Sequence, residues 1–226
     1  MRSFLLVNSE TAGWIAQARL APADALILAV RADPNSLPAL MMDLRQAKQN
    51  RKIFVAISAL SDPNIAHELA CIMSAAPDGI VLPKSLAGRD VQHLSAKLSV
   101  AEAENGLVDG ATQILAMAAN SGHAIFGLSS YAATSARLCG LTWDQNALAQ
   151  NIGADPLAAP VDVARAMLIF AAAAAQVQAV DGAELNTLDA KSFRTVCEQA
   201  KRNGFTGKIA RTVEDVAIIN DVFADH

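Results

Sequence analysis

Between Thr112 and Asp144 the chain carries no acidic residue, although this stretch holds QILAM, an apolar run shaped like a buried strand, followed at once by Asn, Ser, Gly and His. Other absences narrow the field. There are three cysteines (Cys71, Cys139 and Cys197), far apart and without a CxxC pair, so neither a zinc site nor a redox dithiol is indicated. The four histidines are scattered, with no HExxH spacing. Neither GxGxxG nor GxxxxGK[ST] follows an apolar run, which removes the phosphate loop of a nucleotide-binding sheet. The charge of −4 carries no basic excess, which argues against nucleic acid. The longest apolar run, Ala166 to Ala175, falls short of the ~18 residues of a membrane span. The start, MRSFLLVNSE, is too short in apolar length for a signal peptide, so the expectation is a cytoplasmic protein without a membrane contact.

What is present is hydrophobic bulk. At 226 residues and 53% hydrophobic composition, the chain suffices for a large single core. Short apolar runs alternate with segments of helical period. Strands are predicted at Phe4–Val7, Ala25–Val30, Ile53–Ile57, Gly79–Leu82, Gln113–Met117, Leu138–Leu141, Gln178–Val180 and Gly207–Ala210. Helices are predicted at Pro38–Asn50 and Ala66–Ala75, with caps at Asn35-Ser36 and Ser61-Asp62-Pro63. Alternating β and α means a parallel sheet with right-handed crossovers. Eight strands predict a single α/β domain over 1–226, a closed (β/α)8 TIM barrel, with an open doubly wound sheet as the other arrangement.

In a barrel, function gathers where strands end. Those ends read Asn8-Ser9-Glu10, Arg31-Ala32-Asp33, Ser58-Ala59, Pro83-Lys84-Ser85, Asn120-Ser121, Thr142 to Asn146, Asp181 and Arg211-Thr212. The candidate pocket residues are Lys84, Asn120, Asp144, Asn146 and Asp181, with Asp181 the leading one. Lys84 and Lys208 are candidate anion contacts at strand ends. The acids in this set are few, Glu10, Asp33, Asp144 and Asp181, and each also fits an ordinary role in a loop or as a cap. Asp144 is placed to cap a helix, and His123 to sit in the first turn of another.

Seven stretches, in order and in register, resemble the citrate lyase β-subunit-like proteins of the HpcH/HpaI aldolase superfamily: RSFLLV, ADALIL (23–28), PDGIVLPKSLAGRDV (77–91), RLCGLTW (137–143), ALAQNIGA (147–154), VQAVDG (177–182) and GFTGKIA (204–210). The resemblance implies a TIM barrel, oligomerisation, and magnesium-dependent making or breaking of a carbon–carbon bond on a CoA thioester or 2-keto acid.

The same register exposes departures. Where the family reads LDLED, this chain has Ala29, Arg31 and Ala32 in place of the acids. Ala56 stands for the arginine that holds a substrate carboxylate, and Ser58 follows. Ala119 stands for the metal-binding glutamate of the fifth strand. In the sixth loop Asn146 stands for a glutamate and Ala147 for the second metal-binding aspartate. The His-Pro pair near the last strand has become Thr212 and Val213, and the chain stops at His226, before the family's C-terminal lid segment.

These departures imply that magnesium is lost and that no cofactor remains: a methyl group has no lone pair for a cation, and without the cation nothing polarises the substrate. The expected role is then a binding or assembly subunit, taking an acyl-CoA or small carboxylate and associating with itself or with a partner lyase subunit. Two alternatives stay open. Ser121, His123, Asp144 and Asp181 would supply metal-independent chemistry if they converged, or a shifted register would let Glu10, Asp33 and Asp144 meet around a cation. The Ala-rich segment Arg165–Ala175, apolar almost all round, offers a face to a second subunit.

Overall fold

The structure is a computed structural model and describes residues 1–8, 13–29, 37–46, 51–183 and 188–224. Eight parallel strands close into a barrel in sequence order: β1 Ser3–Asn8, β2 Ala25–Ala29, β3 Lys52–Ala56, β4 Gly79–Leu82, β5 Gln113–Met117, β6 Leu138–Thr142, β7 Gln178–Asp181 and β8 Gly207–Ala210. The ring shuts through β8 on β1, where Phe4 pairs with Ile209. The helices are α1 Trp14–Leu20, α2 Leu37–Gln46, α3 Ile65–Ser74, α4 Gly88–Glu104, α5 Gly122–Gly127, α6 Gln145–Ile152, α7 Ala159–Ala175, α8 Ala190–Asn203 and α9 Val213–Val222. The closed barrel excludes the open sheet.

Alternation along each strand makes two cores. Phe4, Ile27, Phe54, Val81, Leu115, Val180 and Ile209 fill the barrel interior, with the Phe4 and Phe54 rings tilted 59° at 6.1 Å between centroids. Leu5, Leu26, Val55, Ile80, Ile114 and Ala179, one residue out of phase, pack against the helices. The Phe54 ring explains Gly79: a Cβ there would collide with it. Gly204 lies in the left-handed region at φ +108 and caps the C-terminus of α8.

Several predicted boundaries move by a residue or two. The cap predicted over Ser61-Asp62-Pro63 falls instead at Asn64, which makes no side-chain cap bond. Asp62 is spent on a local turn, its Oδ1 accepting from the N–H of Asn64 at 2.8 Å. The Asn35-Ser36 cap, Glu10, Arg31, Ala32, Asp33 and His226 lie outside the described residues. Among the described residues no helix is long and apolar enough to cross a membrane.

Candidate functional site at the barrel mouth

The C-terminal ends of β5 and β6 lie side by side, Met117 pairing with Thr142. Past them, Asn120 and Asp144 meet: Asn120 Oδ1 accepts from the N–H of Asp144 at 2.9 Å. Asp144 is the N-cap of α6, its Oδ1 accepting from the N–H of Ala147 at 3.0 Å. Ala147 therefore holds a carboxylate by its backbone amide and offers a methyl as its side chain. Ala119 is fully buried and packs in the outer apolar core. Ala56 packs half-buried against the inner core. Asn146 sits half-buried in the first turn of α6.

Beside β5, Lys84 follows β4 with φ +50 and is exposed. Arg211 follows β8 and is exposed as well. Neither makes a hydrogen bond or ion pair with a described residue. Thr142 ends β6, is fully buried, and its Oγ1 has no partner. An orphaned buried hydroxyl costs roughly 1–3 kcal/mol.

Asp181 is placed differently from its sequence expectation as a pocket residue. Ala179 belongs to the outer core and Val180 to the inner one, so alternation turns Asp181 outward toward α7. Its carboxylate is saturated there. It accepts from Trp143 Nε1 at 3.0 Å, Arg165 Nε at 3.2 Å, Arg165 Nη2 at 2.7 Å and Lys208 Nζ at 2.8 Å. Burial alone would raise its pKa, and the charges of Lys208 and Arg165 outweigh it, holding the carboxyl below its ordinary value. Lys208 is correspondingly a wall residue: it is the second residue of β8, 1% exposed, and also donates to the Gly182 carbonyl. The arginine that completes this cluster, Arg165, also lies over the Phe205 ring at 5.2 Å. A lone cation inside an alanine-rich helix was the sequence signal for it.

The set that would run metal-free chemistry does not converge, since no hydrogen bond joins any two of Ser121, His123, Asp144 and Asp181. Ser121 caps α5, and His123 is exposed in its first turn. Nor do the described acids gather: among the described residues no group of three or more His, Cys, Asp or Glu could hold a metal ion. Magnesium does not fit the described donors, because one capping carboxylate, Asp144, is the single acid on the β5–β6 side of the mouth.

A closed parallel barrel with its polar groups at the C-terminal strand ends defines the class, a (β/α)8 barrel. The chain belongs to the HpcH/HpaI aldolase/citrate lyase family, which matches residues 2–212. RipC from Yersinia pestis is similar at 20% identity and a TM-score of 0.76, over 100% of this chain and 96% of that one. Haloferax volcanii malate synthase, solved as a lead(II) complex, is similar at 16% identity and a TM-score of 0.82, over 100% of this chain and 73% of that one. The citrate lyase β subunit from M. tuberculosis, complexed with oxaloacetate and magnesium, is similar at 19% identity and a TM-score of 0.72, over 99% of this chain and 96% of that one. At these identities the likeness is one of fold. No curated protein matches the chain.

Proposed function

We propose that this chain is a member of the HpcH/HpaI family without magnesium-dependent carbon–carbon lyase activity, serving as a cytoplasmic binding or assembly subunit. The carrying observation is the pair Ala119 and Ala147, two side chains without lone pairs at the positions where the family's metal-binding acids are expected. Ala56 supports it, since the carboxylate clamp expected there is also a methyl. A catalytic set acts as a unit, and the loss of several members together removes most of the rate. The ligand class is an acyl-CoA or a small carboxylate. Calorimetric titration with acetyl-CoA and with oxaloacetate, with and without magnesium, tests the reading. Binding indifferent to magnesium is the expected result, and binding that tightens tenfold with magnesium would overturn it.

The assembly role has its own support. Phe126 on α5, Ile152 on α6, Leu157 beyond it, and Val163 and Phe170 on α7 are all exposed, Phe126 by 88% and Phe170 by 72%. The three helices touch one another. Together these side chains present on the order of 500 Å² of apolar surface, the scale at which a patch marks an interface. The occupant is a second copy of the chain or a partner lyase subunit. Sedimentation velocity should show an oligomer that Phe170→Glu dissociates; a monomeric wild-type protein that also fails to bind a family lyase would refute the assembly reading.

A further inference from the structure

Thr142 is the one polar side chain of β6 that points into the barrel without a use. Its register partner Met117 packs on the inner core, and its neighbour Leu141 on the outer one, so alternation aims the Thr142 side chain at the interior beneath the mouth. The residue is 0% exposed and Oγ1 has no partner. Valine has the same shape without the hydroxyl, so an unpartnered threonine here is a stability defect unless something bonds to it. Two further features of the mouth point the same way. Asn120 spends only its Oδ1 on the Asp144 N–H, and its Nδ2 has no described partner. Lys84 and Arg211, unpaired with any described residue, follow β4 and β8, which lie four strands apart on opposite walls of the ring.

We propose that Thr142 is a ligand-binding residue. Its hydroxyl, with the Asn120 amide, bonds directly to a carboxylate or carbonyl oxygen of a small organic anion. Lys84 and Arg211 supply the positive field that draws the anion in. Neutral donors inside the barrel then do the work that elsewhere in the family is expected of a cation. The metal-free mode rests on the function proposed above; the contact to Thr142 does not.

The test compares the full-length wild-type protein with Thr142→Val and Thr142→Ser in the presence of a chelator, by thermal melting and by calorimetry with oxaloacetate and with acetate as probes. Thr142→Val should melt a few degrees above the wild type without ligand and bind oxaloacetate at least about tenfold more weakly. Thr142→Ser should keep the affinity within about threefold, because it keeps the hydroxyl. Tight oxaloacetate with weak acetate places the carbonyl at Thr142, and equal binding places the carboxylate there; both support the assignment. A Thr142→Val protein that melts below the wild type would mean that Oγ1 is satisfied within the fold, as by a buried water, and would overturn it. Unchanged affinity in Thr142→Val, or no uptake of either probe by the wild type with or without magnesium, would overturn it as well. Binding that requires magnesium but still weakens tenfold in Thr142→Val sinks the metal-free function and leaves the Thr142 contact standing.

Discussion

At the N-terminal ends of β5 and β6, Glu102 of α4 is completely buried and accepts four hydrogen bonds: from Arg137 Nη1 and Nη2 at 2.7 Å each, from the N–H of Thr112 at 2.8 Å and from that of Gly110 at 2.9 Å. Arg137 in turn reaches Asp109 and Ser99. At the C-terminal ends of the same two strands stand Ala119, an orphaned Thr142 hydroxyl, and Asp144 engaged with a helix N-terminus. One end spends its charges on holding the barrel, although the Thr112 hydroxyl beside the network has no partner. The other end carries a single carboxylate, Asp144, engaged as a helix cap, beside the unpartnered Thr142 hydroxyl. Barrels divide stability and function between their two faces, and here the division can be read within a single pair of strands.

The comparison breaks if the lower network is not what holds β5 to β6. Glu102→Ala leaves the buried Arg137 guanidinium uncompensated and should cost about 3–5 kcal/mol in urea unfolding. A loss near that of a surface substitution would show the network to be ornamental. A second, smaller effect follows from titration. Burial alone would raise the Glu102 carboxyl, yet Arg137 and the backbone N–H donors outweigh it and hold its pKa down to about 2 from 4.5. A depressed carboxyl contributes stability in full above its unfolded value and loses it as pH falls toward the folded one. Between neutral pH and about pH 3 the wild type should therefore lose on the order of 2 kcal/mol more than Glu102→Gln. Parallel pH profiles for the two proteins would refute the assignment.

The sequence made one end of these strands far more legible than the other. QILAM was bounded correctly as β5, because Gln113 and Met117 enclose an unbroken apolar run. The capping role of Asp144 was readable because its acceptor serves an amide three residues on. Glu102 and Arg137 are silent in the sequence, since 35 residues separate them and no local pattern announces the pair. Asp181 is hard to place from sequence for a related reason. With four residues and apolar neighbours, β7 gives no alternation from which to tell the inner face from the outer, and the partners that settle it lie 16 and 27 residues away. Ala119 and Ala147 can be read as substitutions only against the family register, because an alanine has no signal of its own. Thr142 stands among the strand ends in the sequence, but its want of a partner is a property of the packed barrel alone.

The smallest effect sharpens the comparison at the mouth. If Asp144 serves α6 and no cation, Asp144→Ala removes one cap bond to the Ala147 N–H and should cost about 1 kcal/mol. Asp144→Asn should recover most of that, since an amide oxygen caps nearly as well as a carboxylate. A metal ligand behaves differently: asparagine would lose the charge a hard cation needs, and the defect would appear as a weakened response to magnesium. Urea unfolding of the three proteins, each with and without magnesium, separates the cases. Capping predicts the order wild type, then Asn, then Ala, with magnesium changing none of the intervals. A magnesium-dependent gap between wild type and Asp144→Asn would put a cation back at the end of β6, where the contrast with the Glu102 end has it absent.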